Sequence, residues 1–297
     1  MPAPPELPTA RPSMLIDVCW PMPGPVIATP PFALLRKIAL IGAHGLRFNL
    51  DYRLADPVRQ LQAVGTAGLR PLPILDYGGE VSRTDQRATP SQYAAFCRRV
   101  VTEAPWLIEV ELGNEPNGKM SAGEYAALAK AGASAIRTAA PHVRIIIAGE
   151  LFDHTTGESR DGFHQTVASS IPPQLYDAVA IHPYRLGPPD QSPWGSRVDE
   201  HVAILAATGG TPYVSTEVGW ALDQVPGATD EAREAEQGLR VKRELEIERF
   251  LGVDRVDVYA HVSLHGVGHG VFRPDWTPRP AAIGIAEVVA AIAEGTS

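Results

Sequence analysis

Short β-rich segments alternate with helical patterns along nearly the whole chain. We predict eight strands, recurring at a spacing of roughly 30–40 residues, at 14–19, 45–50, 70–75, 106–112, 143–148, 178–181, 213–216 and 256–260. The clearest helical patterns between them cover Ser121–Ala139, Asp230–Leu251 and Ala281–Ala293. Because no change of composition marks a linker, this repetition predicts one α/β domain, a single (β/α)8 TIM barrel.

A doubly wound parallel sheet is the alternative fold for an alternating chain. Such a sheet usually carries a glycine-rich turn, G-x-G-x-x-G, after its first strand. No such turn follows residues 14–19, so the barrel is favoured. Residues 1–13 contain five prolines and are predicted to form an extended leader, which assigns the catalytic barrel to residues 14–297.

Composition and charge narrow the classes of partner. The 297 residues are 44% hydrophobic and carry a net charge of −8, whereas a nucleic-acid-binding protein needs a basic face. We therefore expect no nucleic-acid partner. No stretch approaches about 18 uncharged apolar residues, so no membrane span is expected. The first residues lack the basic and apolar regions of a signal peptide, which favours a cytoplasmic location, with secretion as the alternative.

The predicted loops differ in length on the two sides of the strands. Connections from helix to strand are short, such as 103–105 and 252–254, whereas connections from strand to helix are long, such as 183–196 and 218–229. Ligands bind to a barrel at the C-terminal ends of its strands, among the loops that lead to the helices. The long loops therefore indicate which face carries the site.

Two glutamates stand at the ends of predicted strands on that face. Glu115 follows the fourth strand within the run Asn114-Glu115-Pro116-Asn117, and Glu217 ends the seventh strand. The carboxyl ends of parallel strands meet at one rim, so we expect the two carboxylates to face one cavity. Two such carboxylates are the minimum needed to hydrolyse a glycosidic bond.

Polar and aromatic side chains lie on or near the same predicted rim, and we expect them to contact the same ligand. Aromatic rings can stack on the C–H faces of sugars, and an inward-facing arginine would hold a nearby glutamate ionised. The candidate binding residues are Trp20, Arg47, Asp76, Tyr77, Asn114, His182, Tyr184, Trp220, His261 and Trp276. Trp106, at the start of the fourth strand, is assigned to the core instead.

In these motifs the chain resembles the clan A glycoside hydrolases, the retaining (β/α)8 enzymes, and among them it is most similar to families 39 and 5. The matching pieces are Gly113-Asn114-Glu115-Pro116-Asn117, His182-Pro183-Tyr184 and Thr216-Glu217-Val218-Gly219-Trp220, with Arg47 at the expected place on the second strand. They span nearly the whole barrel. The eighth strand departs from the pattern, because it reads Tyr259-Ala260-His261 where the clan often has a tryptophan under the sugar.

The resemblance implies a role for each matching residue. Glu115 would be the general acid/base and Glu217 the nucleophile of a double displacement that forms a covalent glycosyl-enzyme. Arg47 and the Tyr184 hydroxyl would stabilise the charge of Glu217. Asn114 would bind the hydroxyl beside the anomeric carbon. His182 would orient Glu115 or a sugar hydroxyl, and we expect the two carboxyl groups to be about 5–5.5 Å apart.

Two alternatives remain at the level of the sequence. The altered eighth strand could leave a carbohydrate-binding barrel with impaired turnover. A metal-dependent barrel hydrolase is the second alternative, because His261, His265 and His269 have spacings seen in zinc sites. The favoured interpretation requires no cofactor and no metal. Its partner is a carbohydrate substrate, while the sugar, the linkage and the oligomeric state stay open.

Overall fold

The structure is a computed structural model that describes residues 14–20, 31–78, 87–147, 152–153, 158–159, 163–185, 187–260 and 268–295. The predicted leader, 1–13, lies outside the described residues. None of the described helices is both long enough and apolar enough to cross a bilayer.

Eight parallel strands close into a barrel, in the order of the sequence, and β1 pairs with both β2 and β8. The predicted (β/α)8 fold is therefore confirmed. The strands are β1 Leu15–Trp20, β2 Gly45–Asp51, β3 Arg70–Asp76, β4 Glu109–Leu112, β5 Arg144–Ile147, β6 Ala178–Ile181, β7 Tyr213–Val218 and β8 Arg255–Val258. Two further two-residue strands, Phe152–Asp153 and Glu158–Ser159, pair antiparallel outside the barrel.

Eight helices accompany the strands in the described part of the chain. They are α1 Phe32–Leu40, α2 Pro57–Thr66, α3 Pro90–Glu103, α4 Ala122–Ala139, α5 Phe163–Ser170, α6 Arg197–Ala207, α7 Asp230–Phe250 and α8 Pro280–Ala293. Their starts follow from local chemistry. Thr89, Ser121 and Ser196 each form a capping box with a residue three positions later, which satisfies amide groups that the first helical turn leaves unpaired.

The interior of the barrel contains charged layers as well as apolar ones. A small apolar cluster fills its middle and consists of Leu72, Ile146, Ala178, Ala180 and Val214. Towards the N-terminal ends of the strands, Arg255 pairs with Asp17, Glu109 and Asp257. Because side chains alternate along a strand, Glu109 and Glu111 of β4 both point into the barrel.

The fourth strand begins later than the sequence predicts. The amide of Leu107 donates to the carbonyl of Ala104 at 2.9 Å, which closes a turn around Trp106 and keeps that residue out of the sheet. The predicted start at Trp106 is therefore wrong, and β4 begins at Glu109. The Trp106 ring is only partly buried and packs against the core from outside the strand.

Candidate active site

Glu115 and Glu217 meet at the C-terminal mouth of the barrel. Glu115 lies three positions after the end of β4, and Glu217 is the second-last residue of β7. One carboxylate oxygen of each, together with a ring nitrogen of His182, lies within 4.8 Å of the other two atoms. The C-terminal ends of β4, β6 and β7 therefore bring these three side chains to one point.

The chain leaves β4 through an unusual backbone conformation. Gly113 has φ of 80°, and a side chain there would come within 2.3 Å of the Tyr77 ring. Glu115 itself has φ of 45° and ψ of 55°, the left-handed region that non-glycine residues seldom adopt. Such conformations cluster at functional sites, where the surrounding structure maintains them. Here the bend directs the Glu115 carboxylate towards His182.

Arg47 of β2 connects the buried acidic groups beneath the mouth. Its guanidinium donates from Nε and Nη2 to both oxygens of Glu111, at 2.6 and 2.9 Å. It also donates from Nη1 to Oε1 of Glu217 at 2.6 Å and from Nη2 to Oδ1 of Asn114 at 2.8 Å. One planar cation thus fixes three acceptors from β4 and β7, as a fork of donors allows.

Both oxygens of Glu217 accept hydrogen bonds. Arg47 donates to Oε1, and the Tyr184 hydroxyl donates to Oε2 at 2.7 Å. Burial by itself would raise the pKa of Glu217. The positive charges of His182 and Arg47, with the hydrogen bonds from Tyr184 and Arg47, outweigh burial and hold its pKa below the ordinary value. Glu217 is therefore an ionised carboxylate at neutral pH.

His182 links Glu115 to the base of the site. Its Nδ1 lies 3.1 Å from Oε1 of Glu115, and its Nε2 lies 3.1 Å from Oγ1 of Thr216. The Thr216 hydroxyl donates to Glu111 at 3.3 Å, and Nη2 of Arg47 lies 3.4 Å from Nε2 of His182. His182 therefore connects the Glu115 carboxylate to the network of Arg47 and Glu111 beneath the mouth of the barrel.

Comparison of the sequence with models of protein families and with curated proteins gave no match. Solved structures match at low identity. A family 39 glycoside hydrolase from Bacteroides cellulosilyticus WH2 is 18% identical with a TM-score of 0.71, over 95% of this chain and 64% of that one. GH5_18 from Streptomyces cattleya, in complex with GlcNAc, is 15% identical with a TM-score of 0.70, over 97% and 82%. The exo-β-1,4-mannosidase Op5Man5 from Opitutaceae bacterium strain TAV5 is 16% identical with a TM-score of 0.68, over 95% and 60%.

This likeness shows a shared barrel fold. The chain spans 64% of the length of the family 39 structure and 60% of that of the mannosidase. At such identities the matches establish how the strands are arranged. The chemistry of the mouth has to be argued from its own side chains.

The predicted binding residues fall into two groups. Arg47, Asn114, His182 and Tyr184 lie within hydrogen-bonding distance of Glu115, Glu217 or each other. The structure therefore brings these four residues together with the two glutamates in a single network.

Three of the other predicted residues point away from the mouth or are enclosed. The Tyr77 ring is fully buried and packs edge-on against Tyr93, with 6.2 Å between the ring centres. Trp220 is 1% exposed, and its indole N–H donates to the carbonyl of Gly187. Neither ring presents a face to a sugar, which contradicts the predicted stacking. Asp76 is also buried and accepts from the amide of Gly78, so it shapes the turn after β3.

The remaining predicted residues lie farther out or outside the described residues. Trp20 ends β1 and is partly buried against the core. Trp276 is partly buried, and its carbonyl accepts a hydrogen bond from Lys37 of α1. His261 and His265 lie outside the described residues. The sugar contacts predicted for Trp20, Trp276 and His261 remain predictions.

Sequence reasoning missed two residues at the site, Glu111 and Thr216, and named His269 only within a run of loop histidines. Glu111 and Thr216 bind Arg47 and His182 from below, and His269 packs against Tyr184 and Tyr259 beside them. The alternation of β4 was a usable signal for Glu111, because it places the side chain on the same side as Glu109. The spacing of His261, His265 and His269 drew attention to His269, but it did not indicate the contacts with Tyr184 and Tyr259.

Within the described residues, the carboxylates of Glu115 and Glu217 and the ring of His182 form the one group with metal-ligand spacing. Their surroundings do not suit a cation. Arg47 and Tyr184 already donate to both oxygens of Glu217, and a metal ion would lie next to the guanidinium charge. The donor set fits a proton-transfer site better than a metal centre.

Proposed function

We propose that the protein is a retaining glycoside hydrolase that cleaves O-glycosidic bonds, with Glu217 as nucleophile and Glu115 as general acid/base. The observation that carries the proposal is the approach of the two carboxylates to within 4.8 Å between oxygens, at the mouth of a parallel barrel. Retaining enzymes hold the two groups about 5–5.5 Å apart, whereas inverting enzymes leave about 6.5–9.5 Å for a water molecule. The short separation favours double displacement.

The surroundings of Glu217 suit a nucleophile. Its pKa is held below the ordinary value despite burial, by His182, Arg47 and Tyr184. The carboxylate is therefore ionised when a sugar binds, and the bonds from Arg47 and Tyr184 fix its orientation. Attack on the anomeric carbon forms the glycosyl-enzyme while the bond to the leaving oxygen breaks.

The position of Glu115, 3.1 Å from Nδ1 of His182 at the mouth, suits a group that protonates the leaving oxygen. An alkoxide leaves slowly unless it is protonated as the bond breaks. In the first step Glu115 gives its proton to the bridging oxygen, and in the second step it accepts a proton from the attacking water. Arg47 fixes the Asn114 amide, which is then oriented towards the hydroxyl beside the anomeric carbon.

The substrate panel follows from the structural neighbours. One of them is described as an exo-β-1,4-mannosidase, and others are GH5_18 enzymes in complex with GlcNAc or Manβ1-4GlcNAc. We propose to test aryl β-mannosides, β-glucosides and β-xylosides, together with Manβ1-4GlcNAc. Binding without turnover across this panel would favour the alternative of an impaired carbohydrate-binding barrel, which the sequence Tyr259-Ala260-His261 directly after β8 suggests.

The Glu217→Ala variant is expected to lose turnover by a factor of about 10⁴ or more, because it removes the carboxylate that would form the glycosyl-enzyme. The measurement is kcat on the best aryl glycoside, with Glu246→Ala, an exposed glutamate of α7, as the control. Wild-type rates in Glu217→Ala would remove its role. Activity that a chelator abolishes and zinc restores would instead favour a metal-dependent hydrolase.

The Glu115→Ala variant is expected to depend strongly on the leaving group. Dinitrophenyl glycosides need little protonation and should retain much of their rate of glycosyl-enzyme formation, whereas methyl glycosides should lose several orders of magnitude. Pre-steady-state measurement of that first step gives the comparison. Equal losses for both leaving groups would contradict an acid role for Glu115.

A further inference from the structure

His269 stands beside the nucleophile within a group of three rings. Its ring centre lies 5.4 Å from that of Tyr259 and 6.1 Å from that of Tyr184, and both contacts are edge-to-face. Tyr184 in turn donates to Glu217. A side chain at position 219, two residues after Glu217, would lie 3.8 Å from Cδ2 of His269. Tyr184, Tyr259 and Gly219 therefore surround this imidazole, next to the Glu217 carboxylate.

The backbone on both sides of His269 is anchored. The carbonyl of Gly268 accepts hydrogen bonds from Gln237 at 2.9 Å and from Arg279 at 2.7 Å. The carbonyl of Gly270 also accepts from Arg279, at 3.1 Å. The side chains of Gln237 and Arg279 are themselves buried. The fold thus holds the imidazole in place from outside the site.

The ring nitrogens of His269 make no hydrogen bond with any residue that the structure describes. The side chain is partly buried, but neither nitrogen is among the fully buried atoms without a partner, so both are accessible to a ligand. Burial also lowers the pKa of His269, and the carboxylates of Asp223 and Glu217 oppose this effect without reversing it. A neutral imidazole, with one N–H donor and one acceptor nitrogen, therefore faces the site.

We infer that His269 determines specificity by hydrogen bonding to a hydroxyl of a neutral sugar bound against Glu217. The inference rests on the proposed glycosidase function and adds a substrate class to it. Alternating hydroxyl groups of a pyranose can match both the donor and the acceptor of the imidazole. A uronic acid is disfavoured, because its carboxylate would approach the negative charges of Glu217 and Asp223.

The test compares His269→Phe with wild type. Phenylalanine keeps a ring against Tyr184 and Tyr259 but removes both nitrogens. The matched control is His201→Phe, because His201 also pairs with a tyrosine ring at 5.4 Å, on α6 outside the barrel. We expect KM for the best neutral aryl glycoside to rise about tenfold or more in His269→Phe, with an unchanged melting temperature. The control should keep the wild-type KM.

Deoxy substrates supply a readout that packing alone would not change. Wild type should lose catalytic efficiency on the glycoside that lacks the contacted hydroxyl, whereas His269→Phe should treat it and its parent alike. Two results would overturn this inference but leave the glycosidase proposal standing. The first is a KM of His269→Phe within twofold of wild type. The second is a loss of catalytic efficiency on every deoxy sugar that is as large in His269→Phe as in wild type. Preference for aryl glucuronides over neutral glycosides would also overturn the inference. If wild type neither turned over nor bound any neutral glycoside in calorimetry, both the inference and the glycosidase proposal would be overturned.

Discussion

At the scale of single residues, the charge of Arg47 is divided between two carboxylates. Glu111 takes two of its hydrogen bonds and Glu217 takes one. Glu111 is fully buried, so its charge is screened little by solvent and opposes that of Arg47 strongly. Glu111 therefore moderates how far Arg47 stabilises the anion of Glu217, besides fixing the orientation of the guanidinium.

Substituting Glu111 by glutamine should test this positioning role. The amide would keep the shape, but one end of it would present a donor to the donors of Arg47. We expect kcat to fall roughly 10- to 100-fold, with a smaller change in KM. The acidic limb of the pH–kcat/KM profile should move to lower pH, because an undivided Arg47 charge lowers the pKa of Glu217 further.

Glu109→Gln is the matched control for that substitution. Glu109 lies on the same strand and the same side of the barrel, but it pairs with Arg255 at the opposite end. Glu109→Gln should lower the stability of the protein without shifting the pH profile of activity in the molecules that stay folded. Equal effects of the two variants on kcat and on the acidic limb would show that Glu111 is structural only.

Whether a predicted site residue faces the mouth of the barrel depends on which side of its strand the side chain occupies. Arg47 and His182 were predictable, because the alternation along a strand fixes which side chains face inward. By the same alternation Tyr77 follows Leu75 to the outer side of the sheet, so its predicted place in the sugar site was wrong. Its ring turned back over Gly113, where the missing side chain leaves room and where a Cβ would lie only 2.3 Å away. An aromatic residue just past a strand is therefore a weak indication of a sugar platform.

At the scale of elements, the sequence predicts the barrel strands to within about three residues, because each strand carries buried apolar residues even where charged ones alternate with them, as in β4 and β8. The predicted helix Ser121–Ala139 agrees with α4, and Ser121 serves as its N-cap. The error at β4 has a local cause, the turn around Trp106, which apolar patterning does not reveal. The left-handed conformation of Glu115 is also invisible in sequence, although it directs the carboxylate of Glu115 towards His182.

At the scale of the whole molecule, a second buried ionic network joins the loop after β6 to α6 and α7. Arg185 forms two hydrogen bonds with Glu200, and Arg197 donates to Glu244 and Glu248. Three glutamates thus share two arginines in a region with little solvent. Such a cluster carries one carboxylate more than its cations balance, so it favours retention of a proton.

Glu248 is the residue at which that proton is expected. Its Oε1 accepts from Arg197 at 2.9 Å, while its buried Oε2 has no hydrogen-bond partner among the described residues. Burial, reinforced by the charge of Glu244, raises the pKa of Glu248 to about 8. Since the folded state binds this proton more tightly than the unfolded chain, the stabilisation is complete below the unfolded pKa of about 4.5. It is lost as the pH rises towards 8.

Glu248→Gln should therefore reduce the dependence of stability on pH. Glutamine resembles the protonated acid and stays neutral, so the variant should keep at pH 8.5 the stabilisation that wild type loses between pH 5.5 and 8.5. Between pH 5.5 and 8.5, the unfolding free energy of wild type should fall by about 1–3 kcal/mol more than that of Glu248→Gln. In melting temperature the difference should be several degrees. Urea unfolding at both pH values measures it, with Glu246→Gln, an exposed neighbour on α7, as the control. If Glu248→Gln lost as much stability as wild type over this range, the network would not hold its proton on Glu248.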